Sequence, residues 1–144
     1  MMGIVIVTHG TMGRAMIQTA EMIVGHQRNV HAVALDPDRN LDWLQGEVEQ
    51  VVRLADEGQG VLIMVDLFGG TPANAVAASM RWHQYECLCG FNLPMLLEAL
   101  LAREQTPLQE LSARIEAMAC QSVVNLKAVL ERGVRGTEAP QGNP

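Results

Sequence analysis

Gly3-Ile4-Val5-Ile6-Val7 is a run of apolar, mostly β-branched residues that ends in Thr8-His9-Gly10-Thr11. A continuous apolar run of this length, bounded by turn residues, predicts a strand covered on both faces, the kind found in the middle of a parallel sheet. Immediately after the turn, Met12, Ala15, Met16, Thr19, Ala20 and Ile23 recur at helical spacing, and Gly25 stands where that helix would stop. The unit is a strand followed by a helix.

The unit repeats along the chain. Residues 30–35 form a short apolar run, Asp36-Pro37-Asp38-Arg39-Asn40 punctuates it, and Leu41, Leu44, Val48, Val51, Val52 and Leu54 set a second helical pattern. Gly58-Gln59-Gly60 closes that helix. Val61-Leu62-Ile63-Met64-Val65 then predicts another strand buried on both faces, and Phe68-Gly69-Gly70-Thr71-Pro72 turns into a helix over 73–80. Residues 87–90 supply a fourth strand, Asn92-Leu93-Pro94 opens a fourth helix through Met95, Leu96, Ala99 and Leu100, and 108–118 is helical again. Alternating units of this kind predict an α/β fold: a doubly wound, mainly parallel sheet with helices on both faces. Residues 122–130 fit either the end of a long helix or an extra strand on the sheet edge, and periodicity does not separate the two. From Arg132 onward the apolar pattern stops and Gly and Pro accumulate, so the expected organisation is one domain over 1–131 and a flexible tail over 132–144.

Composition narrows the function. A chain of 144 residues, 49% hydrophobic and 18% charged, can fill one core. The net charge of -6, without a Lys/Arg cluster, argues against nucleic acid as a partner. No apolar run approaches the ~20 residues needed to cross a bilayer, so contact with a membrane would be indirect, and the amino terminus does not read as a secretory signal, which leads us to expect a cytoplasmic location. The three cysteines, Cys87, Cys89 and Cys120, are odd in number and lack the spacing of redox or zinc motifs; buried, reduced thiols are expected, with no function. His26, His31 and His83 are scattered and read as non-ligands, so no metal is expected. The glycine patterns of dinucleotide and nucleoside triphosphate sites are absent, so no cofactor is expected either.

The chemistry lies at two strand ends. Val7 runs out into Thr8-His9, Val65 runs out into Asp66, and in a parallel sheet those ends share the edge where open α/β folds place their ligands. A carboxylate that accepts the proton of one imidazole nitrogen fixes the tautomer and leaves the other nitrogen as a nucleophile. The competing reading is an ordinary hydrogen-bonded polar pair. In Asp66-Leu67-Phe68-Gly69-Gly70-Thr71-Pro72, two glycines permit close backbone approach, Thr71 reads as the helix cap, and the helix start would favour a phosphoryl group or another anion. Met12, Phe68 and Leu93 stand at the loop mouths and could serve a docking surface, although their side-chain type points first to core packing.

Val7-Thr8-His9-Gly10, then Val65 through Asn74, then Gly90-Phe91-Asn92-Leu93-Pro94-Met95-Leu96 resemble, in order and spacing, the IIA component of the mannose-type sugar phosphotransferase system. The resemblance covers roughly residues 2–130. It implies a flavodoxin-like domain acting as a phosphotransferase, whose histidine accepts a phosphoryl group from the phosphocarrier protein HPr and passes it to a IIB component. His9 matches the phosphorylated histidine, Asp66 the aspartate that orients it, and Thr71 a position where many members have serine. It also implies a homodimer in which residues 122–130 would be an exchanged carboxyl-terminal strand, and no cofactor beyond a transient phosphohistidine. The alternative within the same family is a regulatory sensor of phosphorylation state that binds a partner without serving transport.

Overall fold

The computed structural model describes residues 1–79 and 84–137. The elements run β1 (Gly3–His9), α1 (Met12–Val24), β2 (Val30–Leu35), α2 (Leu41–Ala55), β3 (Val61–Val65), α3 (Thr71–Ser79), β4 (Tyr85–Cys89), α4 (Leu93–Ala102), α5 (Leu108–Ala119) and α6 (Leu126–Thr137). The four strands form one parallel sheet in the order β2-β1-β3-β4.

The two apolar runs behave as their composition dictates. Every residue of β3 is buried, as is β1 from Gly3 through Thr8, because helices cover both faces of the sheet. Side chains alternate between those faces. Ile4, Ile6, Leu62 and Met64 pack with Ala20 of α1, with Met95, Leu96 and Ala99 of α4, and with Leu111 and Ile115 of α5. Val5, Val7, Ile63 and Val65 pack on the other side with Leu44, Val48 and Val52 of α2 and Ala75 and Val76 of α3. The chain therefore leaves β1 toward one face and β3 toward the other. Strands β1 and β3 are neighbours whose following helices diverge, which makes their carboxyl ends the switch point of the sheet.

The carboxyl-terminal segment departs from expectation. Residues 122–125 are irregular, and Leu126–Thr137 is helix, so 122–130 is not a strand of this sheet and the helical run passes through the start of the expected tail. The cause is local: the Asn125 side chain accepts from the amide of Ala128 at 3.1 Å as a helix cap, and Lys127 and Glu131 pair across one turn at 3.8 Å. The rest of the expected tail, 138–144, and residues 80–83, including His83 and the expected end of the third helix, lie outside the described residues.

Candidate active site

His9 is the last residue of β1, and Asp66 follows the last residue of β3. The odd-numbered amides of β1 face β3, starting with Gly3 N–H donating to the Gly60 carbonyl, while the even-numbered ones face β2, starting with Ile4 N–H to Asn29. Pairing with β3 ends at Val7↔Val65, yet pairing with β2 continues to His9↔Leu35. The His9 amide thus points at the place where β3 would have supplied its next carbonyl. Asp66 Oδ2 takes that place, accepting from the His9 amide at 2.8 Å and bonding His9 Nδ1 at 2.9 Å.

One carboxylate oxygen therefore fixes both the main chain and the ring of His9. An ionised carboxylate only accepts, so in the neutral imidazole this geometry puts the proton on Nδ1 and leaves the lone pair on Nε2. The burial is asymmetric: the Asp66 side chain is 11% exposed and that of His9 is 50% exposed. Asp66 Oδ1 is buried with no protein partner among the described residues. The pair anticipated from sequence is assembled, with the carboxylate inside and the imidazole outward.

The loop after β3 comes against the ring. Gly69 has φ +83°, in the left-handed region, and reverses the chain so that Gly70 backs onto His9. Thr71 is the first residue of α3 rather than its cap, which makes Pro72 the second helical residue; the Gly70 carbonyl accepts from Asn74 at 3.0 Å. Thr71 remains at the site because it follows Gly70 directly.

Other residues are placed differently from expectation. Phe68 is 85% exposed, with Leu67 and Met12 also exposed, whereas Leu93 packs against the core. Residue type suggested the interior for Phe68, but a loop that must reverse at Gly69 holds it away from the sheet. Cys120 is exposed and Cys87 and Cys89 are half-buried, so full burial of the thiols does not hold. His26 is exposed and pairs with Glu21 at 2.9 Å, and His31, on β2, bonds Asn29 at 3.0 Å. Sequence reading passed over Thr8, which is fully buried and whose Oγ1 accepts from the Gly13 amide at 3.1 Å, tying the start of α1 to the strand beside His9. A hydroxyl inside an otherwise apolar strand was the available signal.

An open α/β domain with a half-exposed imidazole, held by an 11% exposed carboxylate at its switch point, has the parts with which a histidine can act as a nucleophile at a protein surface. The particular family follows from three comparisons. A family profile described as "PTS system fructose IIA component" matches residues 3–116. The chain is 36% identical over 123 residues to the fructose-specific EIIA component of Bacillus subtilis, covering 85% of this chain and 84% of that one. It is 38% identical over 105 residues to the mannose-specific EIIAB component of Escherichia coli K12, 72% of this chain but 32% of that one, so the chain spans about a third of that relative. The solved structure of an EIIA component from Streptococcus agalactiae matches with TM-score 0.81 and 26% identity, over 89% of this chain and 99% of that one. The chain belongs to the mannose-type IIA family of the sugar phosphotransferase system. Among the described residues, no helix is long and apolar enough to cross a membrane.

Proposed function

We propose that the protein is a phosphoryl carrier of a sugar phosphotransferase system, accepting phosphate on His9 from phospho-HPr and passing it to a IIB component in the cytoplasm. The observation that carries this reading is the single Asp66 oxygen that holds both the amide and the Nδ1 of His9. In the forward step the Nε2 lone pair attacks phosphorus. The P–N bond of the donor phosphohistidine breaks and its electron pair returns to the donor ring, while the Nδ1 proton stays between His9 and Asp66. Positive charge appears on the His9 ring as the new bond forms, and the Asp66 carboxylate, 2.9 Å from Nδ1, stabilises it. Delivery to IIB is the reverse of this exchange.

Phosphoryl transfer asks for positioning and charge stabilisation more than for covalent help from other groups. The main-chain amides of 71 and 73 and the positive end of α3 supply donors for the phosphoryl oxygens, and the Thr71 hydroxyl adds one. No cofactor takes part beyond the phosphohistidine itself. Exposed Met12, Leu67 and Phe68 stand where the chain leaves β1 and β3 and offer apolar surface to the docking protein. A second copy of the chain is the third partner we assign, because Val123, Val124, Leu126, Val129 and Leu130 are all exposed in the single chain and would be covered in a homodimer.

The test is incubation with phosphoenolpyruvate, enzyme I and HPr. Wild type takes up acid-labile, base-stable phosphate and His9→Ala takes up none. Equal labelling of the variant would remove His9 from the role.

A further inference from the structure

Gly69 and Gly70 adjoin in sequence but are glycine for different reasons. Gly69 needs its left-handed backbone, and a Cβ added there would meet nothing within 4 Å. Gly70 has no left-handed backbone to explain it. A Cβ built on Gly70 would instead lie 3.2 Å from His9 Cε1, 3.8 Å from His9 Nε2 and 3.7 Å from Pro72 Cδ. The first contact is tighter than carbon atoms normally accept, and it falls on the edge of the ring that joins the tethered nitrogen to the free one.

From this we infer that Gly70 is a positioning residue for His9: its bare Cα seats the ring on one side while reserving the volume beside Nε2 for the phosphoryl group. The ring cannot simply retreat from a new methyl group, because Nδ1 is held at 2.9 Å by Asp66 Oδ2. Any side chain at 70 must therefore either stand beside Nε2 or stretch the tether that sets the tautomer. Both outcomes impair attack on phosphorus, and neither disturbs the sheet, since the loop lies beyond the last paired residues of β1 and β3. The inference rests on His9 being the phosphoryl acceptor.

The experiment compares wild type, Gly70→Ala and Gly70→Val with two donors, phospho-HPr and the small molecule phosphoramidate, whose P–N bond breaks to release ammonia as the Nε2–P bond forms. Rates are counted per folded molecule, with the folded fraction taken from near-ultraviolet circular dichroism. Gly70→Ala should slow labelling about 10- to 100-fold with both donors, as a misplaced near-attack geometry does, and Gly70→Val should slow it further. The ¹⁵N shifts of His9 in the unphosphorylated variants should move away from the pure Nδ1–H tautomer or show a displaced ring. Slowing with phospho-HPr alone would mean that the side chain obstructs docking, and the inference would fail; so would unchanged rates and shifts. Wild type labelled by phosphoramidate but not by phospho-HPr would overturn the proposed partner while leaving the effect of residue 70 readable.

Discussion

Strand β1 has two ends, and they treat buried polar groups in opposite ways. At the amino-terminal end, Arg103, 3% exposed, donates to the main-chain carbonyls of Met2 and Asn29 at 3.3 Å each, to that of Arg28 at 2.6 Å, and to Gln27 Oε1 at 3.4 Å. One guanidinium thereby stitches the end of α4 to the starts of β1 and β2, and its planar fork suits several carbonyls at once. At the carboxyl-terminal end, one Asp66 oxygen is used twice and the other not at all, and the imidazole it holds is half in solvent. Four donations from one buried side chain fix a fold. The incomplete set at the other end is what the proposed role of His9 requires, a ring nitrogen lone pair kept for reaction.

The contrast can be broken from either side. The largest effect should come from Asp66. Asp66→Ala removes the oriented tautomer and the counter-charge together, and single-turnover labelling by phospho-HPr should fall by about 10² to 10³. Asp66→Asn keeps an oxygen that can accept both His9 bonds but no charge, so its rate should lie between the alanine variant and wild type. Equal losses in the two variants would show that the charge alone matters.

At the other end, Arg103→Met keeps the apolar stem and removes all four donations. Several buried carbonyls lose a charged donor, and stability should fall by about 3 kcal/mol, read as a drop in melting temperature of roughly 10 °C. Labelling of His9 per folded molecule should hardly change. If labelling collapsed while the melting temperature stayed put, the division between the two ends would be wrong.

A smaller effect sharpens the same distinction on β4. Burial, followed by the neighbouring Cys89, pushes the Cys87 thiol up to about 12, and burial raises Tyr85 to about 12 as well. In the unfolded chain the thiol ionises near about 8.5. Its folded value is the higher one, so the stability it contributes is present below about pH 8.5 and is lost as pH rises toward about 12. Cys87→Ala should make denaturant midpoints fall less between about pH 8 and about pH 10, below the range above about pH 10 in which the raised Tyr85 hydroxyl makes its own, later contribution.

Much of this was legible in the sequence, and the rest was not for physical reasons. Unbroken apolar runs at β1 and β3 could only be central parallel strands, and strand ends from separate units must share an edge, so His9 and Asp66 were predictable as neighbours. Three things stayed hidden. Residues 122–130 hold enough apolar side chains for strand or helix, and the choice turned on the Asn125 cap, a local bond that periodicity does not register. Phe68 carries an interior residue type on the short loop between β3 and α3, whose path is dictated by Gly69. Arg103 has no motif at all: three of its four partners are main-chain carbonyls brought together only by the finished fold.

The central claim is that Asp66 holds Nδ1 and frees Nε2 for attack. The most direct test is to phosphorylate protein carrying ¹⁵N-labelled histidine with phosphoenolpyruvate, enzyme I and HPr, and to locate the phosphorus by its ³¹P–¹⁵N coupling. The account predicts coupling to Nε2 of His9, with a proton still on Nδ1. Phosphorus bonded to Nδ1, or to another histidine, would contradict it.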